Sequence, residues 1–117
     1  MKKPIEVALL DEADEYLVNS HPKVRQRFAV AFEKIELGLK GDWFEKMPGT
    51  DELWEVRVDG PQNTHRLFAF WDSRGATSTL VVCTHGLDKK TEKTPARDVN
   101  KAERLRREYL QQPPLLN

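Results

Sequence analysis

Between residues 24 and 39 the apolar side chains recur at steps of three and four. Val24, Phe28, Ala31, Phe32, Ile35 and Leu39 form one stripe, and Lys23, Arg25, Arg27, Glu33 and Lys40 lie off it. A repeat near 3.6 residues predicts an amphipathic helix with one buried face. Pro22 suits its first turn, with Ser20 or His21 before it as cap. Gly38 weakens the last turn and Gly41 is the expected stop. Upstream, Ile5 to Leu10 alternates in part and predicts a short opening strand, and Asp11 to Asn19 a short acidic helix.

The period then changes from helical to two. Residues 42–52 read as a loop turning at Pro48-Gly49. Leu53 to Asp59 alternates, with Trp54, Val56 and Val58 on one face and Glu55, Arg57 and Asp59 on the other. Gly60 to Asn63 turns the chain. His65 to Trp71 forms the next strand, with Arg66 opposite Leu67, Ala69 and Trp71, and Thr79 to His85 the last. Short loops between successive strands favour an antiparallel meander. Thr94 as cap and Pro95 as first helical residue open a final helix whose inward stripe is Val99, Ala102, Leu105 and Tyr109. The expected architecture is α+β: a short N-terminal strand, two helices, a three-stranded meander and a C-terminal helix. Residues 1–110 form one domain and 111–117 a flexible tail.

Composition narrows the function classes. At 117 residues the chain has room for one core. No apolar run approaches the ~20 residues of a membrane span, and the carboxylates of Asp11, Glu12, Asp14 and Glu15 end the N-terminal apolar stretch too early for a secretory leader. The single Cys83 excludes an internal disulfide and suits a reducing cytoplasm. Nineteen basic and nineteen acidic side chains cancel, which argues against an extended nonspecific nucleic-acid surface. Locally they separate: residues 22–41 carry five cations against two carboxylates, and residues 86–110 eight against five.

The chemistry-bearing set is Arg57, His65, Arg66, His85, Lys89 and Lys90. Arg57 and Arg66 lie on adjacent strands, both turned from the apolar stripe, and the lysines leave the last strand. Such cations converging on one surface would hold a phosphate through charge and the guanidinium fork and stabilise a pentacoordinate transition state. His85 or His65 is the natural proton carrier near neutral pH. Glu55 is either a general base or the ion-pair partner of Arg57. Cys83 reads as a buried small hydrophobe, with a Cys83–His85 pair on one strand face as the alternative.

Three blocks carry a resemblance: Leu53-Trp54-Glu55-Val56-Arg57, His65-Arg66-Leu67-Phe68-Ala69-Phe70, and the run from His85-Gly86-Leu87-Asp88-Lys89-Lys90 to Lys93-Thr94-Pro95. Together they resemble the phage-derived Gp49-like/HigB-like branch of the RelE/ParE toxin superfamily. The resemblance implies the toxin of a type II toxin–antitoxin system, a metal-independent mRNA endoribonuclease without cofactor. In that mechanism the substrate 2′-hydroxyl attacks the neighbouring phosphate, often on the ribosome, and a helix-turn-helix, HigA-like antitoxin restrains the enzyme. By position it assigns Arg66, Arg57, His85, Lys89 and Lys90 to catalysis, and His65, Glu55 and Lys93 to substrate binding. The alternatives are a gyrase-inhibiting toxin of the ParE type and a catalytically inactive binding module.

Overall fold

A computed structural model describes residues 5–61, 63–75, 79–89 (Lys89 by its backbone alone) and 94–114. Its elements run β1 (Ile5–Leu9), α1 (Asp11–Val18), α2 (Pro22–Glu36), β2 (Phe44–Lys46), β3 (Trp54–Asp59), β4 (Thr64–Asp72), β5 (Thr79–Lys89) and α3 (Ala96–Leu110). The fold is a mixed α+β globule of three helices and one five-stranded sheet in the order β1-β5-β4-β3-β2. β3 pairs antiparallel with β4, and β4 with β5, whereas β1 runs parallel to β5.

The helical stripe at 24–35 folds as expected: Val24, Phe28, Ala31 and Ile35 are buried. His21 is the cap, its imidazole accepting the Lys23 N–H. The stop comes earlier than Gly41. Gly38 takes a φ of 77°, and Gly38 and Leu39 donate back to the Ile35 and Lys34 carbonyls, a Schellman closure that only a residue tolerant of positive φ permits cheaply. Leu39 therefore leaves the stripe and is half exposed.

Three further boundaries differ from the sequence reading. The 42–52 stretch contains an edge strand, because Phe44–Lys46 pairs with Trp54–Val56 of β3. The last strand continues past His85 to Lys89, since β4 supplies partners as far as Thr64↔Lys89. Pro95, not Thr94, is the cap residue of α3, without a side-chain cap bond.

The sheet divides the side chains between two layers. Val56, Val58, Leu67, Ala69, Val81 and Cys83 join Ala13, Leu17, Val24, Phe28 and Ile35 beneath α1 and α2. On the opposite face Leu53, Phe68, Phe70, Leu80 and Val82 meet Ala102 and Tyr109 of α3. β5 changes parity midway. Leu67 pairs with Gly86 but Ala69 with Cys83, so Thr84 and His85 together oppose Phe68 in a β-bulge. No helix among the described residues is long and apolar enough to cross a membrane.

Candidate functional site

Arg57 and Arg66 are direct cross-strand partners in the β3–β4 ladder and share the α3 face of the sheet. With Glu45, Lys46, Met47, Pro48, Glu55, Thr94 and Val99 they line an open groove of about 550 Å³ between the β2 edge and the start of α3. Glu55 pairs with Arg66 rather than Arg57: Arg66 Nη1 donates to both carboxylate oxygens at 2.8 Å. The two side chains are only 12% and 14% exposed. Arg66 Nε is buried with no hydrogen-bond partner among the described residues. Arg57 reaches the exposed Asp42 at 3.7 Å. The groove therefore holds three cations against two carboxylates.

His85 occupies the same face but not the groove. The bulge turns it beneath α3, where its ring stacks on Phe68 at 4.6 Å. Nε2 faces Asp98 Oδ1 at 3.3 Å and Nδ1 faces Thr84 Oγ1 at 3.1 Å. Burial pushes its pKa below the ordinary value, outweighing the Asp98 carboxylate, which acts the other way. The face shared by Cys83 and His85 in a regular strand is lost at the bulge. Cys83 is fully buried, its thiol pushed up to about 12 by burial, so it is a core side chain and no nucleophile.

His65 points the other way, as its place next to Arg66 in an alternating strand requires. It meets Asp88 and Tyr16 on the α1 side. Tyr16 donates its hydroxyl to Asp88 Oδ1 at 2.5 Å, and His65 Nδ1 bonds the same oxygen at 2.8 Å. Burial, then the Asp88 bond, raises the Tyr16 pKa. The bonds from Tyr16 and His65 lower that of Asp88 against its burial. These groups line a cleft of about 790 Å³ that extends to Lys23, Arg27, Asn63 and Lys101.

The candidate groups thus fall into two places, Arg57 and Arg66 with Glu55 in one groove, and His65 with His85 along the wall of the other cleft. Lys89 ends β5 opposite Thr64, and Lys90 and Lys93 lie outside the described residues. The sequence reading missed Tyr16, Asp88 and Asp98. Asp88 stands inside the His85–Lys90 block and alternates with Leu87, a usable signal. The 72-residue separation of Tyr16 from Asp88 left none. Among the described residues no three His, Cys, Asp or Glu side chains gather as a metal site would require.

Chemically, the groove can hold a phosphate between two guanidiniums beside a carboxylate able to accept a proton. A family model described as phage derived protein Gp49-like (DUF891) matches residues 15–107, and no curated protein matches the chain.

Proposed function

Because the chain belongs to the phage-derived Gp49-like family of the RelE/ParE-like toxin clan, whose members are generally toxins that usually pair with an antitoxin, we propose that it is a metal-independent mRNA endoribonuclease. On this reading it acts on the ribosome and is silenced by a helix-turn-helix, HigA-like antitoxin. The observation that carries the reading is the Arg57–Arg66 pair. Like charges directly opposite across a ladder are destabilising, and an anion seated between them turns that repulsion into binding.

The 2′-oxygen of the substrate forms a bond to the adjacent phosphorus while the bond to the 5′-oxygen breaks, leaving a 2′,3′-cyclic phosphate and a 5′-hydroxyl. Arg66 meets the phosphate through the charge of its guanidinium while Glu55 fixes its Nη1. Arg57 meets the charge that develops on the non-bridging oxygens. Glu55 takes the 2′-hydroxyl proton. His85, which the sequence offers as proton carrier, is buried with both ring nitrogens engaged, and here it acts by holding the first turn of α3 through Asp98. Lys89, Lys90 and Lys93 are assigned to phosphate contact and to the departing 5′-oxygen.

Expression of the wild-type chain should arrest growth and create new mRNA 5′ ends, whereas Arg66→Ala should do neither. Arg66→Lys, with a retained melting transition, separates lost chemistry from lost folding. Equal toxicity of wild type and Arg66→Ala overturns the assignment. DNA damage with intact transcripts would point instead to gyrase inhibition.

A further inference from the structure

Beside the buried stripe of α2 runs a second one. Lys23, Arg27, Val30, Lys34 and Leu37 recur at steps of four and three and so share one face of the helix. Val30 is 48% exposed and Leu37 58%. Lys23, Arg27, Val30 and Lys34 border an open groove of about 780 Å³, closed on its far side by Trp43 and Val58. Glu33 lies about a quarter-turn round the helix from that line. The outward face of α1 has the opposite sign. Asp11, Asp14 and Glu15 are exposed and make no ion pair among the described residues, and Val18 on the same face is 63% exposed. The nearest cation of α2 does not answer these carboxylates, because Arg25 donates to the Leu17, Val18 and Ser20 carbonyls at the end of α1.

We infer that these two faces are the halves of one interface between two copies of this chain, α1 of each copy lying along the exposed stripe of the other's α2. They match in kind and in spacing. Asp11, Glu15 and Val18 stand at i, i+4 and i+7, and so do Lys23, Arg27 and Val30. Carboxylates thus meet cations while aliphatic side chains cover one another. Both faces belong to the helical layer on one side of the sheet, so a two-fold axis makes the contact twice and closes the assembly. A nucleic acid would satisfy the cations but leave Val30 and Leu37 in water, and the α1 carboxylates on the same side would repel it. A protein partner is therefore favoured, and the chain itself carries the complementary surface. The helices are short and the contact is smaller than an obligate interface, so dimers are expected from about micromolar concentration upward. The Arg57–Arg66 groove lies on the α3 face and stays open, so the inference is independent of the RNA-cleavage reading.

Sedimentation equilibrium of the purified full chain tests this. The wild type should form a reversible dimer whose dissociation constant rises roughly tenfold between about 50 and 500 mM sodium chloride, because exposed charges are screened. Lys23→Glu with Lys34→Glu reverses the α2 stripe, and Asp14→Lys with Glu15→Lys reverses the α1 face. Each doubly substituted chain should be monomeric alone. Mixed in equal amounts, the two should associate again as a heterodimer, since each offers the sign that the other needs. Val18→Asn, which changes no charge, should weaken wild-type association several-fold and keeps the test decisive if a reversed chain does not fold. A wild type still monomeric at about 500 μM overturns the inference, that concentration being far above the range expected of a specific interface. So does a dimer indifferent to both salt and Val18→Asn, or a mixture of folded reversed chains that remains monomeric. A monomeric chain whose hold on RNA or on an antitoxin is weakened by Lys23→Glu and Lys34→Glu gives the stripe to that occupant, and likewise overturns it.

Discussion

Arg57 and Arg66 show what a single pair of residues can cost. Their repulsion across the ladder is worth some tenths to about 1 kcal/mol. The exposed contact from Arg57 to Asp42 returns little of it, since such surface pairs contribute near zero to ~1 kcal/mol. Arg57→Gln should therefore raise the urea midpoint slightly while weakening growth arrest, the trade expected where charge is kept for binding. His85 yields a pH prediction. Its imidazole is held below the ordinary 6.5 by burial, so the unfolded chain binds the proton first as pH falls. Stability should be level above about pH 6.5 and decline below it until the folded imidazole also protonates. His85→Gln should flatten that decline in unfolding free energies measured from pH 5 to 8.

At the scale of elements, α3 is fastened at its far end by a buried clamp. Asp72 is 2% exposed and accepts the Tyr109 hydroxyl at 2.7 Å. Arg74 grips it from Nε at 2.9 Å and Nη2 at 3.1 Å. That grip, with Tyr109 behind it, holds the carboxyl down to about 2. Arg74 Nη1 also donates to the Leu110 and Gln112 carbonyls, so the helix end is tied through the first residues after it. Tyr109→Phe removes a hydrogen bond to a charged group and should cost about 1.5–3 kcal/mol, with faster amide exchange in the last turn of α3. Which elements could be read from the chain follows from the same physics. The α2 stripe and the alternation of β3 and β4 were legible because periodicity reports which face is buried. β2 was not, because three residues carry no period and the Pro48-Gly49 turn signal made the whole stretch read as a loop. The bulge in β5 was equally hidden, since nothing local in Cys83-Thr84-His85 announces an extra residue.

For the whole molecule, the sheet is closed by its most distant pairing, β1 beside β5, with Ile5 opposite Thr79 and Leu9 opposite Cys83. Ile5, Val7 and Leu9 each bury part of their surface against the α1–α2 core. At about 1.5 kcal/mol apiece their loss removes of the order of 4 kcal/mol, a large share of the 5–15 kcal/mol typical of a domain. A chain lacking residues 1–9 should lose its cooperative melting transition and elute as aggregate, because β5 would become an unprotected edge. The candidate site was legible only in part at this scale. The shared face of Arg57 and Arg66 followed from alternation, and so did the opposite aim of His65. The placing of Tyr16 over the bare Gly86, where a Cβ would come within 2.2 Å of its ring, depends on α1 folding back across β5.

The bulge at Thr84 and His85 has a consequence for descent. Because the ladder resumes on both sides of the surplus residue, with Cys83 opposite Ala69 and Gly86 opposite Leu67, the fold can gain or drop an imidazole beneath α3 through the insertion or deletion of one codon. Relatives one residue shorter here should superpose on either side of the gap yet lack the titrating group.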